Sequence, residues 1–222
     1  MSEEKSLISL KNLVGKTDGQ VFLLVGPPGS GKEDFAIQFL IDGFLEKNNG
    51  AFLTTDSFPS EIIEKMKELG TDPTSFIEGK QLQFIDAFSY RTGESVDKNG
   101  LAVDNIRNLT GISVMIKKLI DTNEKLRLVI NTLSTISIYN SGVSLLDFTQ
   151  AQAARLKQKN HSGVIIAHEG MMEEKVIQGM KAFVDGVIEF QTTEGIKGTL
   201  KNVLRVAYAP KIRRSGWVDL YK

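Results

Sequence analysis

The run Gly26-Pro27-Pro28-Gly29-Ser30-Gly31-Lys32 constrains this chain more than any other stretch. It satisfies G-x-x-x-x-G-K, the first part of a Walker A loop, whose glycines let successive backbone N–H groups turn inward around phosphate oxygens. The lysine of such a loop reaches the terminal phosphates, and the following helix adds its N-terminal dipole. That mechanism needs a buried strand before the loop and a helix after it. Both are present. Gln20 to Val25 is an apolar, strand-length run, and Lys32 to Lys47 carries Phe35, Ala36, Phe39, Leu40, Phe44 and Leu45 at helical spacing.

The same alternation continues. Ala51 to Thr54, Leu82 to Ile85, Leu126 to Ile130 and Val164 to Ala167 read as strands. A helix is expected from Pro59 through Leu69, stopped by Gly70, and others over Leu101 to Thr122 and Val143 to Lys159. Phe88 to Gly100 is polar and reads as a loop. After Ala167 the rhythm changes to extended segments: Val184 to Gln191, Thr199 to Ala207 and Trp217 to Tyr221. The pattern predicts an α/β fold, a mostly parallel central sheet flanked by helices with a C-terminal antiparallel β-extension. One domain over 1–222 is expected, with a core over 1–192 and a basic, β-rich extension over 193–222.

Composition narrows the chemistry. Among 222 residues there is no cysteine, which excludes disulfides, thiolate zinc sites and cysteine nucleophiles. Two histidines argue against a His-rich metal site. The first residues lack the basic and apolar regions of an export signal, and no apolar run approaches the roughly 20 residues that cross a bilayer. A cytoplasmic protein without membrane insertion is expected.

The phosphate loop departs from its pattern at the next residue. A Walker A loop ends in Ser or Thr, whose hydroxyl holds Mg²⁺; here the position is Glu33. A carboxylate suits a helix N-terminus but repels a triphosphate. The Walker B candidate, Leu126 to Asn131, ends in Asn131 where a metal-holding Asp is expected. The two exchanges compensate in formal charge. Either Glu33 takes over the aspartate's role and a rearranged site with Glu33 and Asn131 at Mg²⁺ persists, or hydrolysis has lapsed. The second is favoured.

The loop GPPGSGK, the helix DFAIQFL, the segment AFLTTDSFPSEII, the run RLVINTLST and the late GVIIAHE together resemble the KaiC-like branch of the RecA-superfamily ATPases, of the archaeal single-domain type. The lead-in LVGKTDGQVFLLVG resembles that family's opening strand. The resemblance implies a RecA-like P-loop domain, ATP bound at a subunit interface, and assembly into rings or filaments. It implies nucleotide contacts from Gly26, Pro27, Pro28, Gly29, Ser30, Gly31, Lys32 and Glu33, with Asn131 and His168 beside them. Relatives carry one or two glutamates after the second strand to activate water; here only the shorter Asp56 is available, as general base or as a helix-entry residue. Relatives also carry a Lys-x-Arg pair on a late strand, where this chain has Ala207 and Ala209. Lys211, Arg213 and Arg214 lie just beyond, either as substitutes or as a solvated basic turn. His168 stands where a polar residue senses the γ-phosphate, the alternative being a strand-end histidine bonded to backbone. His161, near Lys157 and Lys159, reads as the polar end of a helix.

Overall charge is balanced, 27 basic against 27 acidic residues, but unevenly laid out. Between Gly195 and Lys222 lie Lys197, Lys201, Arg205, Lys211, Arg213, Arg214 and Lys222 against Asp219 alone. This region could bind nucleic acid or dock on an acidic face of another copy. Three functions remain: a degenerate nucleotide-binding or scaffold subunit acting in homo- or hetero-oligomers, an ATP hydrolase with a rearranged metal site, and a DNA-binding accessory factor of the recombinase-paralogue type. Altered positions 33, 131 and 56 and the missing Lys-x-Arg pair favour the first, with ATP and Mg²⁺ as the cofactors in question.

Overall fold

The computed structural model describes residues 7–93, 101–195, 198–212 and 214–221. In chain order its elements are α1 (Leu10–Val14), β1 (Val21–Gly26), α2 (Lys32–Leu45), β2 (Asn49–Thr54), α3 (Pro59–Glu68), α4 (Thr74–Glu78) and β3 (Leu82–Asp86). There follow α5 (Leu109–Thr122), β4 (Leu126–Asn131), α6 (Leu133–Ser137), α7 (Gly142–Gln158), β5 (Ser162–His168) and α8 (Glu174–Lys181). The last are β6 (Gly186–Glu194), β7 (Leu200–Tyr208) and β8 (Val218–Asp219).

One sheet runs in the order β3-β2-β4-β5-β1-β6-β7-β8. The pairings from β3 through β6 are parallel, and β7 and β8 add on antiparallel. Strands covered by helices on both faces must be apolar on both, and β1 is buried at every residue. Its alternate side chains part company: Val21, Leu23 and Val25 face the layer holding Ile112, Ile116, Leu145 and Phe148. Phe22 and Leu24 face Phe35, Phe39 and Leu40 of α2. The mostly parallel sheet with its antiparallel C-terminal extension matches the expected fold. Leu204, Val206 and Leu220 of that extension join the same core layer as Phe35 and Phe190. The expected core boundary between 192 and 193 falls inside β6.

Several local expectations need correction. The helix expected from Leu101 begins only at Leu109, because Asn108 caps it by accepting the Gly111 N–H at 2.8 Å. Ahead of the cap, Leu101 and Val103 are buried at alternate positions and Ala102 bridges to Asp86, so the backbone there is extended. Within the loop expected over Phe88 to Gly100, Ser89 to Thr92 form a 3-10 turn, and residues 94–100 lie outside the described residues. The short helices α4, α6 and α8 carry too few turns for their periodicity to stand out. His161 follows the end of α7, as expected, and is buried there at 2% exposed. Its Nδ1 accepts from the Leu126 N–H at 3.2 Å and its Nε2 donates to the Ile120 carbonyl at 3.0 Å, tying α5 to β4. Among the described residues, no helix is long and apolar enough to cross a membrane.

Candidate functional site

The carboxyl ends of β1, β2, β4 and β5 meet at one edge of the sheet, where α/β folds gather their ligand contacts. In-register pairing aligns Gly26 with His168 and Thr54 with Asn131. Because β5 lies between β1 and β4, His168 comes between the glycine-rich loop and Asn131. A cleft of about 370 Å³ opens there, lined by Lys32, Glu33, Asp56, Lys65, Asn131 and His168 together with Pro28, Gly29 and Gly31 of the loop; Gly26, Pro27 and Ser30 do not line it. The site residues expected on separate segments are thus brought into one place.

The loop itself is tightly specified. Gly31 caps α2 at φ 84°, and a Cβ there would lie 2.2 Å from Leu220 Cδ2. A Cβ on Gly26 would lie 2.5 Å from the Phe190 carbonyl oxygen. Glycine is required at both. Gly29, at φ 76°, faces open space. Lys32 is buried and donates to the Gly26 carbonyl at 2.8 Å, the Pro27 carbonyl at 2.5 Å and Ser30 Oγ at 3.1 Å. Burial pulls its ammonium down to about 8, against a smaller opposing pull from Glu169. Open space at Gly29, a lysine on the loop and a helix N-terminus fit a phosphate chain.

The metal positions are arranged differently. Glu33 pairs through Oε2 with Lys65 of α3 and accepts through Oε1 from Asn131 Nδ2 at 3.0 Å. The same Asn131 nitrogen donates to Asp56 Oδ1 at 3.2 Å. Asn131 therefore turns its donor side towards both acids, and Glu33 has each oxygen committed. This arrangement does not fit a Mg²⁺ ion held by Glu33 and Asn131, as the rearranged site would require. Among the described residues, no three His, Cys, Asp or Glu side chains cluster to hold a metal ion.

Protonation follows from these contacts. The Asp56 carboxyl is pushed up to about 6, first by crowding in the cleft and then by the Glu33 charge. The residue keeps an open side to solvent, which moderates the effect. Burial pulls the Lys65 ammonium down, but the Glu33 contact and the charges of Glu33, Asp34 and Asp56 outweigh it, so Lys65 stays charged. Burial, then the neighbouring Lys32, holds His168 down to about 4, so its ring is neutral at pH 7. Its backbone N–H donates to Ser134 Oγ at 2.7 Å, while its buried Nδ1 has no hydrogen-bond partner among the described residues.

A second cleft of about 610 Å³ adjoins the loop, sharing Pro28, Gly29 and Asn202 with the first and lined also by Thr192, Leu200, Asp219 and Tyr221. Asn202 Nδ2 donates to the Gly29 carbonyl at 3.2 Å, and Tyr221 Oη donates to Asp34 Oδ2 at 2.6 Å. The C-terminal strands thereby touch the loop. Asn202, Tyr221 and Lys65 were not legible as site residues. For Lys65 a signal existed: an acid where a hydroxyl belongs requires a cation beside it.

The basic C-terminal residues are partly spent. Arg205 holds Glu189 at 2.7 and 2.6 Å and lies 4.4 Å from the Trp217 ring centre. Lys201 pairs with Asp219 at 3.1 Å. Lys211 and Arg214 are exposed and do not line the cleft, and neither does buried Ala209. Lys197, Arg213 and Lys222 lie outside the described residues.

A glycine-rich loop between β1 and a helix, with one strand inserted before the strand of Asn131, defines a P-loop protein of the RecA type. Comparisons with known proteins agree. The family model for the KaiC ATPase matches residues 9–217, and the chain belongs to that family. It is 23% identical to a UPF0273 protein of Thermotoga maritima over 193 residues, 86% of this chain and 79% of that one. A UPF0273 protein of Sulfurisphaera tokodaii is 28% identical over 123 residues, 55% of this chain but only 44% of that relative. The circadian clock oscillator protein KaiC of Synechococcus elongatus is 28% identical over 105 residues, 43% of this chain and 20% of the clock protein. The crystal structure of a KaiC-like protein of Pyrococcus horikoshii superposes with a TM-score of 0.70 at 19% identity, covering 97% of this chain and 92% of that one, a likeness of fold.

Proposed function

We propose that this chain is an ATP-binding member of the KaiC family with little or no ATPase turnover, acting as a regulatory or scaffold subunit assembled with copies of itself or with a related ATPase. One observation carries the loss of turnover: Glu33 and Asn131, at the two metal-holding positions, are bonded to each other and to Lys65 and Asp56. Phosphoryl transfer depends on positioning and charge stabilisation, which a bound Mg²⁺ supplies in working sites. Without groups to hold it, little of that stabilisation remains. Binding is supported by the loop, by Lys32 and by the adjoining second cleft, large enough for a base and sugar. His168, neutral and lining the cleft beside the loop, offers its ring to the terminal phosphate.

A second reading, hydrolysis by an unorthodox site, draws on Asp56, whose carboxyl near 6 suits a general base. It needs a metal held by groups other than Glu33 and Asn131, and Ala207 and Ala209 stand where the Lys-x-Arg pair is expected. A nucleic-acid role draws less support, since Lys201 pairs with Asp219 and Arg205 with Glu189 of β6.

Reversion tests the proposal. Phosphate release should be absent from the wild type and appear, with Mg²⁺, in the double variant Glu33→Thr/Asn131→Asp. Equal release by the two proteins would contradict it.

A further inference from the structure

Position 33 with a hydroxyl and position 131 with a carboxylate would leave the cleft dependent on a divalent cation between protein and polyphosphate. Here the cleft contains a cation of its own. Lys65 lies on α3, whose Ile62 and Met66 are buried against the core, fixing which side of the helix meets the cleft. From that side its ammonium reaches Glu33 and lines the cleft with Gly31, Lys32 and Asn131. Its side chain is 38% exposed and that of Glu33 27%, so the pair is neither sealed nor fully solvated.

The donor count leaves room for an anion. An ammonium offers three hydrogens, and Glu33 uses one of them. Glu33, in turn, directs its oxygens at Lys65 and Asn131, which blunts its repulsion of an incoming phosphate. A divalent ion entering the same place would have to displace Lys65 and break the Asn131 contact.

We infer that Lys65 takes the place of the divalent cation, so that this chain grips a nucleotide's polyphosphate without metal, through Lys65 and through a Lys32 that exchanges its loop acceptors for phosphate oxygens. This rests on the nucleotide-binding reading above and adds to it the metal-free mode and the residue responsible.

Equilibrium binding of a fluorescent ATP analogue, in EDTA and in excess Mg²⁺, tests it on wild type, Lys65→Met and Lys65→Arg, with thermal melts to verify folding. Wild-type affinity in EDTA should equal or exceed that in Mg²⁺. Lys65→Met should lose about tenfold or more in EDTA, as expected for a charge-assisted bond, while Lys65→Arg retains binding. Should Lys65→Met not fold, Lys65→Arg and the metal comparison decide. Wild-type binding that strengthens about tenfold with Mg²⁺, or Lys65→Met binding like wild type in EDTA, would overturn the assignment while leaving nucleotide binding intact. Failure to bind in either buffer would overturn both.

Discussion

Asp56 and Glu33 are two acids drawn towards one amide in a cleft, and the burial of Asp56, followed by the Glu33 charge, has a measurable consequence. The Asp56 carboxyl titrates near 6 in the folded chain against an ordinary 3.8, so between those values the folded state holds a proton the unfolded state lacks. Stability contributed by that proton is present below 3.8 and is lost as pH rises through about 6. Asp56→Asn should remove this slope and raise stability at pH 7, read from urea unfolding at about pH 4 and about pH 7; a variant with the wild-type slope would contradict it. Lys32→Ala should leave the fold intact and abolish nucleotide binding, measured by titration. The departures at Glu33 and Asn131 were legible because a motif assigns each position a role. Lys65 was not, because its partner lies 32 residues away and its own helix shows only that it sits off the buried stripe. The burial of His161 was hidden for the same reason, since its partners on β4 and α5 lie far along the chain.

Among the elements, the loop depends on strands far along the chain. Leu220 packs where a Gly31 side chain would go, Asn202 holds the Gly29 carbonyl, and Tyr221 holds Asp34 in the first turn of α2. Leu220→Ala should therefore cost about 2–5 kcal/mol in unfolding free energy and weaken nucleotide binding as the loop loosens. Denaturant melts with ATP titration check this, and wild-type values in both would show that the loop stands alone. Long elements such as β1, α2 and α7 were readable from their period, since many residues repeat the same choice. The extended run before α5 was not, because Leu101, Val103 and Ile106 satisfy a helical stripe and an alternating strand about equally. One-turn helices offer no period at all.

At the scale of the molecule, the neutral total of 27 against 27 charges conceals pairs that the fold closes locally, Arg205 with Glu189 and Lys201 with Asp219. That pairing is invisible in sequence because β6, β7 and β8 bring the partners together only in the sheet. A scaffold subunit should assemble: light scattering after gel filtration should give a mass above that of one chain, and a strict monomer, with no related ATPase bound, would contradict that role. The sheet order was legible only as a class, mostly parallel with an antiparallel edge; the insertion of β5 between β1 and β4 came from tertiary packing. It is this insertion that seats His168 beside the loop and sets Asn131 across from it, so that the cleft forms with Glu33 and Asn131 in place of the Walker residues. The most direct measurement is steady-state ATP turnover by the purified wild type with Mg²⁺, beside Lys32→Ala. Release indistinguishable from that of Lys32→Ala is the predicted result; clear hydrolysis that Lys32→Ala abolishes would contradict it.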